Sequence, residues 1–169
     1  MASTQYSFER REEKYFLTPV QYEAILTPLR QHMHADEHEQ YPICSLYCDT
    51  PDWQLIRTSL EKPYYKEKLR VRSYGTPTPD ERVFVELKKK VGGIVYKRRI
   101  ALPAAHADAF LRGEVSVPGQ IAREISWFQR MYGAQPRVLI AYDRTAFAGV
   151  TEPGLRVTFD TGIRWRTDH

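Results

Sequence analysis

Alternating positive charge over residues 65–100 constrains the fold of this chain more than any other feature. The stretch reads YKEKLRVRSYGTPTPDERVFVELKKKVGGIVYKRRI and contains three strand-like runs separated by turn residues. Side chains of a strand point alternately to two faces, so every second residue of each run shares a face. The charged face carries Lys66, Lys68, Arg70 and Arg72 in the first run, Glu86, Lys88 and Lys90 in the second, and Lys97 and Arg99 in the third.

The opposite face of the same three runs is mainly apolar. It carries Leu69, Val71, Val83, Val85, Leu87, Ile94, Tyr96 and Ile100, with Arg98 as an exception. The segment GTPTP at 75–79 and the pair Gly92-Gly93 predict tight connections, so the runs are expected to be antiparallel neighbours with their charged faces together. Like charges on adjacent strands repel. This face therefore predicts a ligand that carries several phosphates.

The rest of the chain predicts four more strands, with helices inserted between the strands. Strands are expected at 8–16, 43–49, 136–145 and 155–161, and helices at 18–33, 50–60, 103–111 and 118–132, with Pro28 expected to kink or shorten the first. The first strand carries Arg10, Glu12 and Lys14 in an R-x-E-x-K row. We expect an α+β fold whose antiparallel sheet closes into a barrel, with charged positions around a tunnel and the apolar face under the helices.

Composition limits the possible classes of protein but does not indicate a function. The 25 basic and 21 acidic residues of this 169-residue chain leave a net charge of only +4, so the placement of charge matters more than its amount. The length predicts one domain over 1–169. A signal peptide and an apolar run of the ~18 residues that span a bilayer are not evident, which predicts a cytoplasmic protein. Walker-type and kinase-type motifs are also missing.

Three small groups of residues invite a metal or redox interpretation. Cys44 and Cys48 would share one strand face with Leu46, which favours two reduced core thiols. The histidines near residues 32–38 favour a solvated helix end and loop over a metal site. The carboxylates among the cations either pair with them or hold a divalent ion that bridges phosphate oxygens. These carboxylates are Glu12, Glu86 and Asp160.

Seven motifs resemble the VTC domain, the polyphosphate polymerase domain of the vacuolar transporter chaperone complex, which also has bacterial relatives. They are KYFLTP at Lys14, SLYCDT at Ser45, LEKPYYKEKLRVRSYG from Leu60, VFVELKKK at Val83, VYKRRIALP at Val95, YDRTAF at Tyr142 and LRVTFDTGIRWR at Leu155. They occur in the family's order over nearly the whole chain. The R-x-E-x-K row resembles the E-x-E-x-K signature of the wider superfamily of triphosphate tunnel metalloenzymes, which is akin to the CYTH group.

The resemblance implies a tunnel that binds ATP and passes its terminal phosphate to a growing polyphosphate chain, with Mn²⁺ or Mg²⁺. Carried over by position, the phosphate ligands are Lys14, Arg70, Arg72, Lys88, Lys97, Arg144 and Arg156, with Arg99 as a further candidate. The implied partners are ATP and polyphosphate, with room for a membrane-protein partner at the inner face of a membrane.

One departure from the family keeps alternatives open. In the family a further segment, with a metal-binding glutamate and a late lysine, follows the strand D-T-x-I-R-W-R, and this chain ends at His169. We therefore expect a barrel that lacks its last strand or strands, and reduced activity. The alternatives are a polyphosphate- or nucleotide-binding module without turnover, and a triphosphatase or cyclase of the same superfamily. Nucleic-acid binding is disfavoured, because glutamates are interspersed with the cations.

Overall fold

A seven-stranded sheet and four helices make up the computed structural model, which describes residues 7–152 and 154–167, without the side chains of 7–11 and 36–39. In chain order the elements are β1 (Ser7–Arg11), α1 (Pro19–His32), β2 (Met33–Asp49), α2 (Gln54–Leu60), β3 (Tyr65–Tyr74), β4 (Arg82–Val91), β5 (Ile94–Pro103), α3 (Ala104–Leu111), α4 (Gln120–Tyr132), β6 (Gln135–Gly149) and β7 (Arg156–Thr167).

The sheet is antiparallel throughout, in the order β1-β5-β4-β3-β2-β6-β7. It curls into a half-barrel, which confirms the predicted fold class. In the part of the chain that the structure describes, β1 and β7 are the two outer strands, so the expected full closure is not seen. Strands β4 and β5 join through Gly92 and Gly93, whose φ angles of +54° and +92° suit glycine in a tight turn.

The two faces of the sheet carry different side chains, as the alternation predicted. Arg70 lies opposite Glu86, and Glu86 lies opposite Arg99, so these charges share one face, here called the inner face. Leu69, Val85 and Leu87 point to the other, outer face and are at most 1% exposed. Burying such side chains stabilises the fold by roughly 1.5–3 kcal/mol each.

The helices cover the outer face in two groups. The amphipathic helix α4 buries Ile125 and Phe128 against the apolar side of the β3-β4 hairpin, together with residues of α3. Helix α1 places Leu26 and Leu29 in a second cluster with Phe147 of β6. Both clusters lie on the outer face, whereas helix α2 reaches the inner-face residue Lys66, whose Nζ donates to the backbone oxygen of Ser59.

Helix α1 starts as predicted but does not stop at its proline. Thr18 and Gln21 exchange the two hydrogen bonds of a capping box. The helix continues four residues past Pro28 to His32, and Leu29 stays packed in the α1 cluster. Of the two expected effects of Pro28, a kink or a shortened helix, the shortening was therefore wrong, because packing of the last turn offsets the lost backbone hydrogen bond.

Two strand boundaries differ from the prediction. Strand β1 ends at Arg11, so Glu12 and Lys14 lie in an irregular segment, not on the strand predicted at 8–16. Strand β2 begins at Met33, ten residues before the predicted position 43, because 33–35 and 40–49 pair with β6 around an irregularity. His34 therefore lies on a strand, not in a loop, and the side chain of His38 falls outside the described residues.

The two cysteines lie on strand β2. Cys44 and Cys48 are free thiols, and burial raises the pKa of Cys48 to about 12. Within the described residues, histidine, cysteine and acidic side chains form no group of three or more that could hold a metal ion. Among those residues, no helix has the length and apolar character needed to cross a membrane.

Candidate phosphate-binding site

Cations from five strands of the sheet lie on the inner face. The register of the sheet places Lys88 opposite both Lys68 and Lys97, and it places Tyr41 of β2 opposite Arg144. The cations are Lys68, Arg70 and Arg72 of β3, Lys88 of β4, Lys97 and Arg99 of β5, Arg144 of β6 and Arg156 of β7. Most are half-buried, and Arg156 is exposed near the start of an outer strand. Partial burial weakens solvent screening, so each charge acts more strongly on a ligand than it would in water.

Glu86 lies at the centre of this face and is completely buried. Its carboxylate is 2.7 Å from Nη2 of Arg70, 3.4 Å from Nζ of Lys97 and 4.0 Å from Nη1 of Arg99. Burial alone would raise the pKa of Glu86, but the charges of Arg70, Lys97 and Arg72 outweigh it and hold that pKa below its ordinary value. One carboxylate therefore faces several cations, and the centre of the site keeps an excess of positive charge.

Arg70 is held between a carboxylate and a phenol. Its Nε and Nη2 atoms lie 2.8 and 2.7 Å from Oε2 of Glu86, and Nη1 donates to the hydroxyl of Tyr47 at 2.9 Å. Burial opposes the charged form of Arg70, yet the partners Tyr47 and Glu86 raise its pKa above the ordinary value. The guanidinium is therefore charged and fixed in position.

Arg72, two residues further along β3, has a weaker set of partners. Its Nη2 donates to the hydroxyl of Tyr142 at 3.1 Å, and the side chain is 92% buried. Among the groups that the structure describes, the buried Nε of Arg72 has no hydrogen-bond partner. Burial and the neighbouring charge of Arg70 lower the pKa of Arg72. A buried guanidinium with an unused donor is a good partner for a phosphate oxygen.

Two lysines of the inner face, Lys97 and Lys68, are destabilised in their charged form. Burial, with further repulsion from Arg99, Arg72 and Arg70, lowers the pKa of Lys97 to about 8, although Glu86 opposes this shift. Burial also lowers the pKa of Lys68, with repulsion from Lys66, Lys14 and Lys88. A bound polyanion would favour the charged form of both lysines and thereby oppose both shifts.

The segment after β1 adds an acidic and a basic residue to the edge of this site. Glu12 accepts a hydrogen bond from Nζ of Lys88 at 2.7 Å, and its side chain is 46% exposed. Burial would raise the pKa of Glu12, but Lys88, Lys14 and Arg70 lower it. Lys14 is exposed, and its charge acts on Glu12 and Lys68. The irregular segment thus brings Lys14 to the site although it is not on a strand.

Arg144 and Asp160 form a two-bond pair at the β6-β7 side of the inner face. Nε and Nη2 of Arg144 lie 2.6 and 2.7 Å from the two carboxylate oxygens. Burial disfavours the charge of Arg144, but Asp160 and Tyr142 raise its pKa. This pair is bidentate and more neutral than the centre of the site, so it favours a positioning role over a large share of the anion attraction.

The three carboxylates predicted as metal ligands fit that role unequally. Glu86 is fully buried among cations, and both carboxylate oxygens of Asp160 accept hydrogen bonds from Arg144, so in both cases a divalent ion would compete with cations already in place. Glu12 is partly exposed and has a single lysine as its described ion-pair partner. Of the three, Glu12 fits best, with phosphate oxygens and water as the remaining ligands.

Tyr47, Tyr142 and Lys68 were missed as site residues by the motif comparison. Each is on the inner face, and the two tyrosines contact the arginines of β3 directly. The alternation of side chains placed Lys68 on the charged face. What the sequence could not show is that β2 lies between β3 and β6, which brings tyrosines of both strands to the arginines of β3.

A curled antiparallel sheet with a cation-lined inner face and helices outside defines the class of triphosphate-tunnel, CYTH-like folds. The chain belongs to the VTC domain family, whose profile matches residues 9–169. The family predicted from the motifs is thereby confirmed.

Relatives and a solved structure agree with this assignment. The chain is 26% identical to vacuolar transporter chaperone complex subunit 4 of Schizosaccharomyces pombe, over 95% of this chain and 26% of that protein. It is 23% identical to the subunit of the same name in Trypanosoma cruzi, over 93% of this chain and 25% of that protein. The chain therefore spans about a quarter of the length of these relatives.

One structural neighbour is a candidate adenylate cyclase from Bacillus halodurans. It superposes with a TM-score of 0.51 at 12% identity, over 97% of this chain and 73% of that one. At this identity the likeness establishes the fold. Family and fold together support a polyphosphate- or triphosphate-related function.

Proposed function

We propose that the inner face binds the triphosphate of ATP and a polyphosphate chain, and transfers the γ-phosphate of ATP to that chain. The observation that carries the proposal is the imbalance around Glu86, where Arg70, Lys97 and Arg99 lie within 4.0 Å of a single buried carboxylate. Burying several cations around one carboxylate costs free energy, because their charges are only partly compensated. A ligand with several closely spaced negative charges compensates it.

The proposed phosphate ligands are the cations that the sheet brings together. They are Lys14, Arg70, Arg72, Lys88, Lys97, Arg99, Arg144 and Arg156. Arginine presents planar forks that match phosphate oxygens, and lysine acts as a compact charge. Phosphoryl transfer requires in-line positioning and neutralisation of charge more than a covalent nucleophile, and the buried part of this set supplies both.

In the proposed reaction a terminal oxygen of the polyphosphate attacks the γ-phosphorus of ATP. The bond between that phosphorus and the β-γ bridging oxygen breaks, and the products are ADP and a chain longer by one phosphate. Arg70 and Arg72 hold the transferred group, and Lys97 neutralises the charge that develops on the leaving oxygen. Mn²⁺ or Mg²⁺, held through Glu12 and phosphate oxygens, would add further charge neutralisation.

The proposed setting follows from the relatives. Both are named as subunits of a vacuolar transporter chaperone complex. We propose that this domain acts in the cytoplasm, beside a membrane-protein partner that receives the polymer. Nucleic acid is not a proposed partner, since the inner face carries Glu86 and Asp160 among its cations.

A second candidate is a module that binds polyphosphate without turnover. The pairing of each predicted metal-binding carboxylate with a cation favours it, because these pairs compete with a divalent ion. A triphosphatase of the same superfamily remains the third alternative.

The test is incubation with ATP and Mn²⁺, followed by gel electrophoresis with a stain for polyphosphate and by titration calorimetry with inorganic tripolyphosphate. Arg70→Ala and Arg72→Ala are expected to abolish polymer and to weaken binding tenfold or more. Arg123→Ala on the outward side of α4 is the matched control, because it removes an exposed arginine away from the inner face.

The outcomes separate the candidates. Polymer from wild type and the control, but not from the inner-face variants, supports the polymerase. Tight binding without product supports the binding module, and release of phosphate without polymer supports the triphosphatase. Equal tripolyphosphate affinity in wild type and in both inner-face variants would overturn the proposed site.

A further inference from the structure

Tyr47 is the nearest side chain to Arg70 on the β2 side of the inner face. The two residues are direct partners in the β2-β3 register. The Tyr47 hydroxyl accepts a hydrogen bond from Nη1 of Arg70 at 2.9 Å, and the guanidinium carbon lies 5.6 Å from the centre of the ring. The tyrosine is half-buried, so this contact is only partly screened by solvent.

The donors of Arg70 are divided between two partners. A guanidinium has five N–H groups. Its Nε and one Nη2 donor face Oε2 of Glu86, and one Nη1 donor is used by Tyr47. Two N–H groups remain, one on each terminal nitrogen. Because Glu86 and Tyr47 hold different nitrogens, they together fix both the place and the rotation of the guanidinium plane, and thereby the direction of the two remaining donors.

The two partners differ in what they do to the charge of Arg70. Glu86 is an anion and removes part of the positive charge that a ligand would feel. Tyr47 is a neutral phenol and removes none. A second carboxylate in its place would orient Arg70 equally well but would repel a phosphate. The hydroxyl is therefore the partner that allows orientation without neutralisation.

We propose that Tyr47 is a positioning residue that orients Arg70 toward a bound phosphate chain while leaving the charge of the guanidinium available. The inference rests on the proposed function of the inner face, because it assigns the orientation of Arg70 to the binding of a polyphosphate. It concerns the protonated phenol, and ionisation of Tyr47 removes the benefit, since a phenolate neutralises Arg70 as a carboxylate would.

The surroundings of Tyr47 make this ionisation accessible. On β3 it faces Arg70, Arg72 and Lys68, and its partner on β6 is the apolar Val138. On its own strand Asp49 is the next charge on that face, and its carboxylate is turned to the backbone N–H groups of Leu55 and Ile56. Burial would raise the pKa of Tyr47, but the three cations lower it below the ordinary value of 10.0. A bound polyanion counteracts those cations and raises the pKa again.

The experiment compares wild type, Tyr47→Phe and the matched control Tyr96→Phe, which removes a hydroxyl on the outer face. Tripolyphosphate affinity is measured by calorimetry from about pH 7 to about pH 10. At pH 7 Tyr47→Phe is expected to bind about fivefold more weakly, the effect of one hydrogen bond. At the alkaline end this difference is expected to shrink, because wild type carries a repelling phenolate there.

A spectroscopic measurement on wild type tests the same inference without relying on a variant that folds. Tyrosinate absorbance near 295 nm is expected to show one tyrosine that titrates below the others. Tripolyphosphate is expected to raise its midpoint, and Tyr47→Phe to remove that early step while Tyr96→Phe keeps it. Titration of Lys97 is common to all three proteins and cancels in the comparison.

The results distinguish a failure of the proposed function from a failure of the positioning role of Tyr47. If wild type does not bind tripolyphosphate, the proposed function fails. If wild type binds and Tyr47→Phe binds equally well at every pH, the positioning role fails while the proposed function stands. An early tyrosine step that tripolyphosphate leaves unmoved would likewise overturn the role of Tyr47.

Discussion

Two buried carboxylates on the β3-β4 hairpin face opposite sides of the sheet. Glu67 on the outer face is 6% exposed, and Glu86 on the inner face is 0% exposed. Glu67 meets one cation, Lys89 at 3.2 Å, and accepts a hydrogen bond from the hydroxyl of Tyr132 at 3.3 Å. Glu86 meets Arg70, Lys97 and Arg99.

The difference separates a structural ion pair from a binding site. On the outer face Glu67 faces one base, Lys89, and accepts a further hydrogen bond from the phenol of Tyr132. On the inner face one acid faces several bases. Apolar residues in place of such buried charges are often at least as stabilising, so stability alone does not account for the surplus positive charge. Buried charge in excess of its counter-charge is therefore the sign of a ligand.

The largest expected effect is a loss of stability caused by a substitution in the apolar cluster under the outer face. Phe128→Ala in α4 removes a ring that is 0% exposed from the cluster under β3 and β4. We expect a loss of about 3–5 kcal/mol in the free energy of unfolding, measured with urea. Tripolyphosphate affinity of the folded fraction is expected to stay unchanged. A large loss of affinity in the folded protein would show that the two faces are not independent.

The next effect compares the two acids directly. Glu86→Gln and Glu67→Gln each remove one buried negative charge, and we expect each to lower the free energy of unfolding by about 3 kcal/mol. Added tripolyphosphate is expected to recover most of the loss in Glu86→Gln, since the ligand supplies the missing negative charge, and little of it in Glu67→Gln. Thermal melts with and without the ligand measure this. Equal recovery in both variants would contradict the distinction between the faces.

The smallest effect concerns the protonation of the inner face. The pKa of Lys97 is lowered to about 8, chiefly by burial, so the lysine loses its charge as the pH rises through that value. Tripolyphosphate affinity is then expected to fall by roughly three- to tenfold between about pH 7 and about pH 9, the effect of one partly screened charge. Lys97→Met is expected to bind weakly across the range and to show a flatter profile. An unchanged slope in this variant would remove Lys97 from the set of ligands.

Alternation along the chain predicted the division into two faces because strand geometry fixes it locally. Arg98 shows the limit of such reasoning. It interrupts the apolar face of β5, and its Nη1 pairs with Glu124 of α4, a partner that no local pattern identifies. The hydrogen bond from Arg72 to Tyr142 is equally invisible in the sequence, because it joins residues 70 positions apart.

Strand boundaries were hardest to predict where a polar segment forms a strand because it pairs with a neighbouring strand. The early part of β2 carries the acids and histidines of 34–39, which favour a loop by composition. Residues 33–35 and 40–49 nevertheless pair with β6 on either side of an irregularity, and the strand runs through. Glu12 and Lys14 were expected on a strand that ends before them, yet Glu12 still reaches Lys88. The sequence motif therefore identified Glu12 and Lys14 as candidate site residues, whereas their interaction partners could be identified only from the fold.

Pairing of β2 with β6 also bears on how the chain folds. The β3-β4-β5 meander joins neighbours in sequence, whereas Met33 at the start of β2 pairs with Gly149 at the end of β6. Loop-closure entropy makes such distant pairings slow to form. During synthesis the meander can assemble first, with the cations of β3 to β5 already gathered, and the two phenols reach their arginines only when β2 and β6 join it.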